Sequence, residues 1–550
     1  MLTHKYVCFY WKEAPMGVYL NSTSPFYLYK SETKKTYFID KSLLLEQLFP
    51  LVKTGNSHIC ITRPRRFGKT IMANMIGTFF GKGCSADTIF NGSKIAANTE
   101  YNAHINQYNT IFIDFSEMPE DCNNYQQYIH RIRKNLKDDL CIAYANLNLD
   151  SQDAVWDLLR KIFERTGERF IFVLDEWDCI FHKAFITDTD KQQYISFLSN
   201  LLKDRPYVLL SYMTGILPIA KYSSGSELNM FLEYTMASEE RFSADFGFTE
   251  TETDLLYNRY INCTENPQIT REGLRFWYDG YQTKSGEKLY NPRSVVAALS
   301  NNNLGNYWTS SGPYDEIYYY IENNIDDVRT DLALMVSGEK VPAKIREYAA
   351  TSMNLSTRDE IFSAMVVYGF LSYADGQICI PNKELMDKFD DMLMKESSFG
   401  YVYRLAKESA RMLSATLSGD TDTMTSILEY AHNTESPLLA YNHETELTAV
   451  INLIYLAARD KYRVEREDKA GIGYVDFIFY PYNPKDTCLI LELKVDHSAD
   501  DAIQQIIDRK YALRFLGKTA EKQKYTGDIL AVGIGYDKET KKHECKVMKL

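Results

Sequence analysis

The stretch "HICITRPRRFGKTIMANMIGTFF" (58–80) decides the architecture of this chain. Its first five residues form an apolar run of strand character. "RPRRFG" then turns the chain, and "KTIMANMIGTFF" (69–80) has helical composition. A strand that opens a helix through such a loop aims backbone N–H groups at a single point, which suits an anion. Lys69 is placed to reach the terminal phosphates of a nucleotide, and the Thr70 hydroxyl to hold Mg²⁺. The usual pattern for such a loop is G-x-x-x-x-G-K-[ST]. Here Arg63 stands at the first glycine position, followed by Pro64, Arg65 and Arg66. Arg63, Arg66, Gly68, Lys69 and Thr70 are the candidate cofactor-binding residues of this loop.

Strand and helix patterns alternate outward from it, over residues 26 to about 240. "NTIFIDF" (109–115), "RFIFVLDE" (169–176) and "YVLLSYMTG" (207–215) are apolar strands. "SQDAVWDLLRKIFERTG" (151–167) reads as a helix with Ser151 as N-cap and Gly167 as its stop. Apolar strands separated by helices predict a parallel sheet covered on both faces. "FIFVLDEWD" (170–178) ends one strand in an acidic pair. Asp175 is a candidate Mg²⁺ ligand there, and Glu176 a candidate for orienting the attacking water. Thr214, ending another strand, is a candidate γ-phosphate sensor, with an ordinary strand-end threonine as the alternative.

At 550 residues the chain is too long for one core. The domains expected are a 1–25 extension, a 26–300 phosphate-loop domain, a 301–420 helical region and a 421–550 α/β domain. "RFWYDGYQ" and "KLYNPRSVV", within 240–300, read as turn and loop. "IFSAMVVYGFLSYADGQICIPN" (361–382) reads as a helix and a small hairpin, in the manner of a winged helix. A net charge of −12 excludes a general polyanion binder, so any nucleic-acid contact needs a local basic face. Ten cysteines without CxxC or zinc-type spacing read as reduced thiols of a cytoplasmic protein. The start lacks a signal peptide's apolar run, and "YVLLSYMTGILPIA" (207–220) is too short to cross a bilayer. No membrane partner is therefore expected.

Near the other end lies "GYVDFIFYPYNPKDTCLILELK" (473–494), two apolar strands joined by "PYNPKD". A hairpin symmetric about Pro484 sets Asp476 opposite Glu492, and strand alternation puts Lys494 on the same face. Two carboxylates and an ammonium among apolar neighbours are costly unless they perform chemistry. A divalent cation held by Asp476 and Glu492 offsets their repulsion and acidifies a bound water, with Lys494 steadying charge on a phosphate. In the preceding helical segment (441–462), Glu444 is a candidate further metal ligand and Glu446 competes with it. In the following one (498–515, N-cap Ser498), Gln505 is a candidate contributor to the site, with an exposed helix glutamine as the alternative. Arg509, Lys510, Arg514, Lys518, Lys522 and Lys524 form a candidate basic patch for a nucleic-acid backbone.

These residues carry a resemblance. Gly471, Gly473, Asp476, Glu492 and Lys494, followed by "AIQQI", resemble the PD-(D/E)xK nuclease superfamily. "ITRPRRFGKT", "FVLDEWD" and "WYDGY…LYNPRSV" resemble the bacterial AAA-ATPase-like domain commonly fused in front of it. The resemblance runs from about residue 26 to the C-terminus. It implies an α/β phosphate-loop domain, a helical middle and a restriction-endonuclease-like C-terminal domain. It also implies Asp476, Glu492 and Lys494 as a nuclease core with Glu444 before and Gln505 after, ATP and Mg²⁺ as cofactors, and nucleic acid, DNA first, as partner. A role in phage defence or mobile-element biology and a homo-oligomer, with Arg241 as candidate arginine finger, belong to the same expectation. The competing expectation is a nucleotide-dependent switch or scaffold that binds without cutting.

Overall fold

The computed structural model of the chain describes residues 17–219, 227–236, 241–308, 325–345, 355, 357–395, 401–433, 444–470, 473–516 and 524–550. The chain divides into two compact units. One is built mainly from the residues up to 313 together with 343–377, the other mainly from 385–550.

The first unit holds a parallel sheet of β1 (Ser57–Thr62), β2 (Asn109–Asp114), β3 (Phe170–Asp175), β4 (Val208–Gly215) and β5 (Leu232–Tyr234). The spatial order is β2-β3-β4-β1-β5, and every pairing is parallel. One face carries Ile111, Ile113, Phe172 and Leu174, packed with residues of helices Tyr125–Ala143, Val155–Thr166 and Asp188–Leu202. The other carries Ile59, Ile61, Val173 and Tyr212, packed with helix Leu44–Thr54 and with α1 (Lys69–Phe80). Burial on both faces explains the unbroken apolar strands. β2 is an edge strand, and residues 17–21 run along it. Leu20 bridges Ile111, the Asn21 N–H donates to Thr110 O (2.7 Å), and the Phe112 N–H to Tyr19 O (3.0 Å). The buried Asp139 carboxylate holds this strap, accepting the amides of Val18 (3.0 Å), Tyr19 (2.7 Å) and Leu20 (3.0 Å).

Some local expectations give way. The helix expected from Ser151 begins at Val155, with Ala154 in the N-cap place and no side-chain cap, while Gly167 closes it as expected in a left-handed conformation. "RFWY" is the end of helix Arg271–Tyr278, and "PRSVV" opens helix Pro292–Asn301 behind the Asn291 cap. Both helices are short and capped, so their sequences read as punctuation. The 361–382 stretch does give a helix (Arg358–Tyr368) and two short strands.

The second unit contains a five-stranded mixed sheet of β6 (Tyr462–Ala470), β7 (Gly473–Pro481), β8 (Cys488–Val495), β9 (Ile529–Asp537) and β10 (Lys542–Lys549), in that order. Only β8 and β9 run parallel, and their crossover contains α3 (Ala499–Asp508); α2 (Glu444–Ile454) precedes the sheet. α3 packs its apolar Ile503 and Ile506 against Val475, Ile478 and Ile490. The helix expected over 441–462 breaks after Ile454 into a 3₁₀ turn, and the one expected over 498–515 ends at Asp508. Lys510 is then left-handed (φ 56°), which starts the 3₁₀ turn Tyr511–Arg514. Ser498 caps α3 in a full capping box, as expected. Among the described residues no helix is long and apolar enough to cross a membrane.

Candidate functional site

Two charged sites stand out, one in each unit. In the first unit, Gly68 (φ 91°) ends the loop and α1 begins at Lys69. A left-handed conformation here costs a glycine nothing. Lys69 is buried, and its Nζ donates to the loop carbonyls of Arg63 and Pro64, 3.1 Å each. Burial pushes its pKa down, opposed by the charges of Glu176, Asp178 and Asp175. Thr70 follows in the first turn, exposed.

β3 and β4 bring the acidic groups up to this loop. Asp175 is fully buried, and its Oδ1 accepts a hydrogen bond from the Thr214 hydroxyl. The Thr70 hydroxyl lies beside the same carboxyl, which burial pushes up to about 6. The other oxygen, Oδ2, is buried without a hydrogen-bond partner. An orphaned carboxylate oxygen beside a helix-start threonine suits a hard cation, which prefers oxygen ligands. Glu176 is half-buried with φ 52°, a conformation that costs a non-glycine residue on the order of 1 kcal/mol.

Arg63 does not present its charge to a phosphate, contrary to expectation. It is buried, its guanidinium donates to the carbonyls of Thr62 (2.8 Å), Tyr234 (2.8 Å) and Phe242 (3.1 Å), and it lies over the Phe246 ring. It braces the loop from beneath. Arg66 is exposed and left-handed (φ 71°) on the same loop. Arg241 donates to Gln47 O (3.0 Å) and lies over the Phe242 ring.

In the second unit, β7 and β8 pair as Phe477↔Leu491, Ile478↔Ile490 and Phe479↔Leu489, a register centred on residue 484. Asp476 and Glu492 continue it. Asp476 Oδ2 accepts the Leu493 N–H (2.7 Å), and the Asp476 N–H makes a long 3.4 Å contact with Glu492 Oε2. Glu492 is only 2% exposed. Its Oε1 takes Lys494 Nζ at 3.3 Å and a hydrogen bond from Gln505 Nε2. Burial first, and then the Asp476 charge, push the Glu492 carboxyl up to about 7 against the pull of Lys494. The structure thus brings together Asp476, Glu492, Lys494 and Gln505. Two converging carboxylates, one of them destabilised when ionised, match the donor chemistry of a divalent-cation site. Among the described residues no group of three or more His, Cys, Asp or Glu side chains could hold a metal. The side chains of Glu444 and Glu446, on α2, lie outside the described residues, as do Gly471, Lys518 and Lys522. Within the basic patch, Arg514 Nε donates to the Tyr480 hydroxyl (2.8 Å).

Two contributors escaped the sequence reading. Tyr511 donates its hydroxyl to Tyr474 O (2.5 Å) and lies 3.5 Å from Gln505 Nε2. Its place depends on the left-handed Lys510, which no helical periodicity announces. Asp178, the last letter of "DEWD", is 1% exposed and binds backbone amides beyond β4. A third carboxylate, three residues after Asp175 and next to the apolar Trp177, is the signal available in the sequence.

Residues 29–224 match the family model described as a predicted AAA-ATPase, and residues 444–544 match that of the PD-(D/E)XK nuclease superfamily. The chain therefore carries an AAA-ATPase-like domain and a C-terminal PD-(D/E)XK superfamily domain. An uncharacterized protein in the vnfD 5′ region of Azotobacter chroococcum is 25% identical over 285 residues, which is 50% of this chain and 51% of that protein. The match spans about half the length of this curated relative. Among solved structures, the Walker-type ATPase PABY2304 of Pyrococcus abyssi aligns at 11% identity and TM-score 0.35, covering 64% of this chain and 96% of its own. The Aeropyrum pernix ORC2 protein, solved in ADPNP and ADP complexes, aligns at 10% identity and TM-score 0.32, covering 66% and 99%.

Proposed function

We propose that this chain is an ATP-binding and ATP-hydrolysing protein whose C-terminal domain is a metal-dependent nuclease, with DNA as its first substrate and phage defence or mobile-element biology as its setting. In the first unit, the amides at the start of α1 receive the phosphates. Lys69 exchanges the carbonyls of Arg63 and Pro64 for the terminal phosphate oxygens. Thr70 and Asp175 are the Mg²⁺ ligands, Glu176 orients the attacking water, and Thr214 senses the γ-phosphate.

In the second unit, Asp476 and Glu492 hold a divalent cation. When bound, that ion supplies charge neutralisation and an acidified water. The Leu493 amide fixes the Asp476 carboxylate, Gln505 fixes Glu492, and Tyr511 supports the Tyr474–Gly473 backbone beside them. Lys494 stabilises the charge that builds on the phosphate as its ester bond breaks. ATP binding in the first unit gates this activity.

The observation that carries the nuclease reading is the convergence on the buried Glu492 carboxylate of Asp476, Lys494 and Gln505, in a setting where burial and the Asp476 charge push that carboxyl up to about 7. Such a group costs stability and is retained where it performs chemistry. The test incubates purified protein with Mg²⁺ or Mn²⁺ and plasmid or RNA, with and without ATP. Glu492→Ala and Lys494→Ala are expected to abolish cutting and leave nucleotide binding intact. Undiminished cutting by both variants would sink the reading. The alternative, a nucleotide switch that grips without cutting, draws on Lys69 being tied to its own loop. Binding without strand breaks under every condition would favour it.

A further inference from the structure

Asp178 makes no nucleotide contact in the reading above, although its charge acts on Lys69, and it stands at the centre of a clamp. Its Oδ2 accepts the amides of Ile216 (3.0 Å) and Leu217 (2.8 Å), the two residues that follow β4 and Gly215. Its Oδ1 is buried without a partner. The neighbouring Trp177 works on the same turn. The Trp177 N–H donates to Thr214 O (3.0 Å), and its indole Nε1–H to Leu217 O (3.1 Å). The Arg63 N–H, at the root of the phosphate loop, donates to Gly215 O (3.2 Å). Gly215 is pressed so closely that an added Cβ would stand 2.4 Å from the Trp177 ring and 2.5 Å from Asp178 Oδ1.

We infer that Asp178 is a positioning residue for ATP hydrolysis: it locks the turn after β4 onto the end of β3, and so fixes where the Thr214 hydroxyl stands relative to Asp175. The inference rests on the ATPase reading above. A buried carboxylate that accepts two amides is an expensive way to hold a turn, because burial strips its charge of hydration. A neutral acceptor, or a tight apolar turn, would serve if only folding were at stake. What the carboxylate adds is rigidity at Thr214–Gly215, where three strand-end features meet: the acidic pair, the threonine hydroxyl and the root of the phosphate loop. Small displacements at such a point are costly, since about 1 Å of misplacement costs on the order of a hundredfold in rate.

The test measures steady-state ATP hydrolysis by the full chain together with the affinity of a fluorescent ATP analogue. Asp178→Asn keeps the shape and one acceptor oxygen but removes the charge. It should lower kcat roughly tenfold to a hundredfold and leave KM within about threefold. Thr214→Ala should lower kcat comparably. If Asp178 acts through Thr214, the double variant is no slower than Thr214→Ala alone. Trp177→Phe, which removes the indole hydrogen bond and part of the buried ring beside Gly215, loosens the same turn by another route should Asp178→Asn not fold, with a kcat loss that also disappears in the Thr214→Ala background. Losses that multiply in the double variants, or a raised KM at unchanged kcat, overturn the positioning role. A wild-type chain that binds the analogue without turning over ATP refutes the hydrolysis reading itself, a result visible before any variant is made.

Discussion

Replacing Glu492 by glutamine should stabilise the protein above neutral pH, although it removes a residue of the proposed cutting site. The native fold raises this carboxyl from 4.5 to about 7, burial acting first and Asp476 second. Between those values the folded state binds a proton that the unfolded state has released. Stability therefore falls as pH rises through this window and stays lower above it. At about 1.4 kcal/mol per tenfold, the full penalty is about 3 kcal/mol by roughly pH 8, and it shrinks to under about 1 kcal/mol near pH 5. Glutamine has the same shape and keeps an oxygen for the Gln505 amide, but has no charge to bury. Part of the gain is lost because Lys494, 22% exposed, gives up its counter-ion. The measurement is amide hydrogen exchange of peptides covering β7 and β8, wild type against Glu492→Gln, in chelator. Protection should rise by roughly tenfold to a hundredfold at about pH 8 and converge near pH 5. Equal or weaker protection in the variant at the higher pH would refute the reasoning, because Glu492 would then not be a destabilised anion.

Three further outcomes follow from the same geometry. Arg63→Ala leaves three buried carbonyls without their donor and should cost about 3–5 kcal/mol, read as a lowered melting temperature of the N-terminal unit. Arg66→Gly removes a cation from the phosphate loop, so ATP-analogue affinity should drop, read by titration of the fluorescent analogue. Tyr511→Phe removes one hydroxyl between Gln505 and Tyr474 and should slow cutting by about tenfold or less, with the circular dichroism spectrum unchanged.

The elements visible in the sequence were those whose signal is local. α1 begins and ends where "KTIMANMIGTFF" predicts, because a glycine closes the loop before it and apolar residues fill it. The hairpin register was readable because side-chain alternation and a short connection leave few alternatives. Arg63 misled because its letter gives charge but not direction: three carbonyls supplied by residues 62, 234 and 242 draw the guanidinium inward. Asp178 and Tyr511 were missed for a related reason. Each acts on backbone groups distant in sequence or past a left-handed turn, where no periodicity reaches. Helix Arg271–Tyr278 was hidden by its brevity and by the Asp279–Gly280 turn that follows it.

The strap of residues 17–21 has a practical consequence for shortened versions of the protein. Its bridge and hydrogen bonds occupy the outer side of β2, a side that would otherwise offer unpaired amides and carbonyls to any passing strand. A truncation that starts at residue 26, where the strand-and-helix alternation begins, would expose that side and take from Asp139 the three amides it accepts. Such a fragment is expected to self-associate through β2, read as a concentration-dependent rise in mass by light scattering, whereas one starting at or before Gly17 keeps that edge covered.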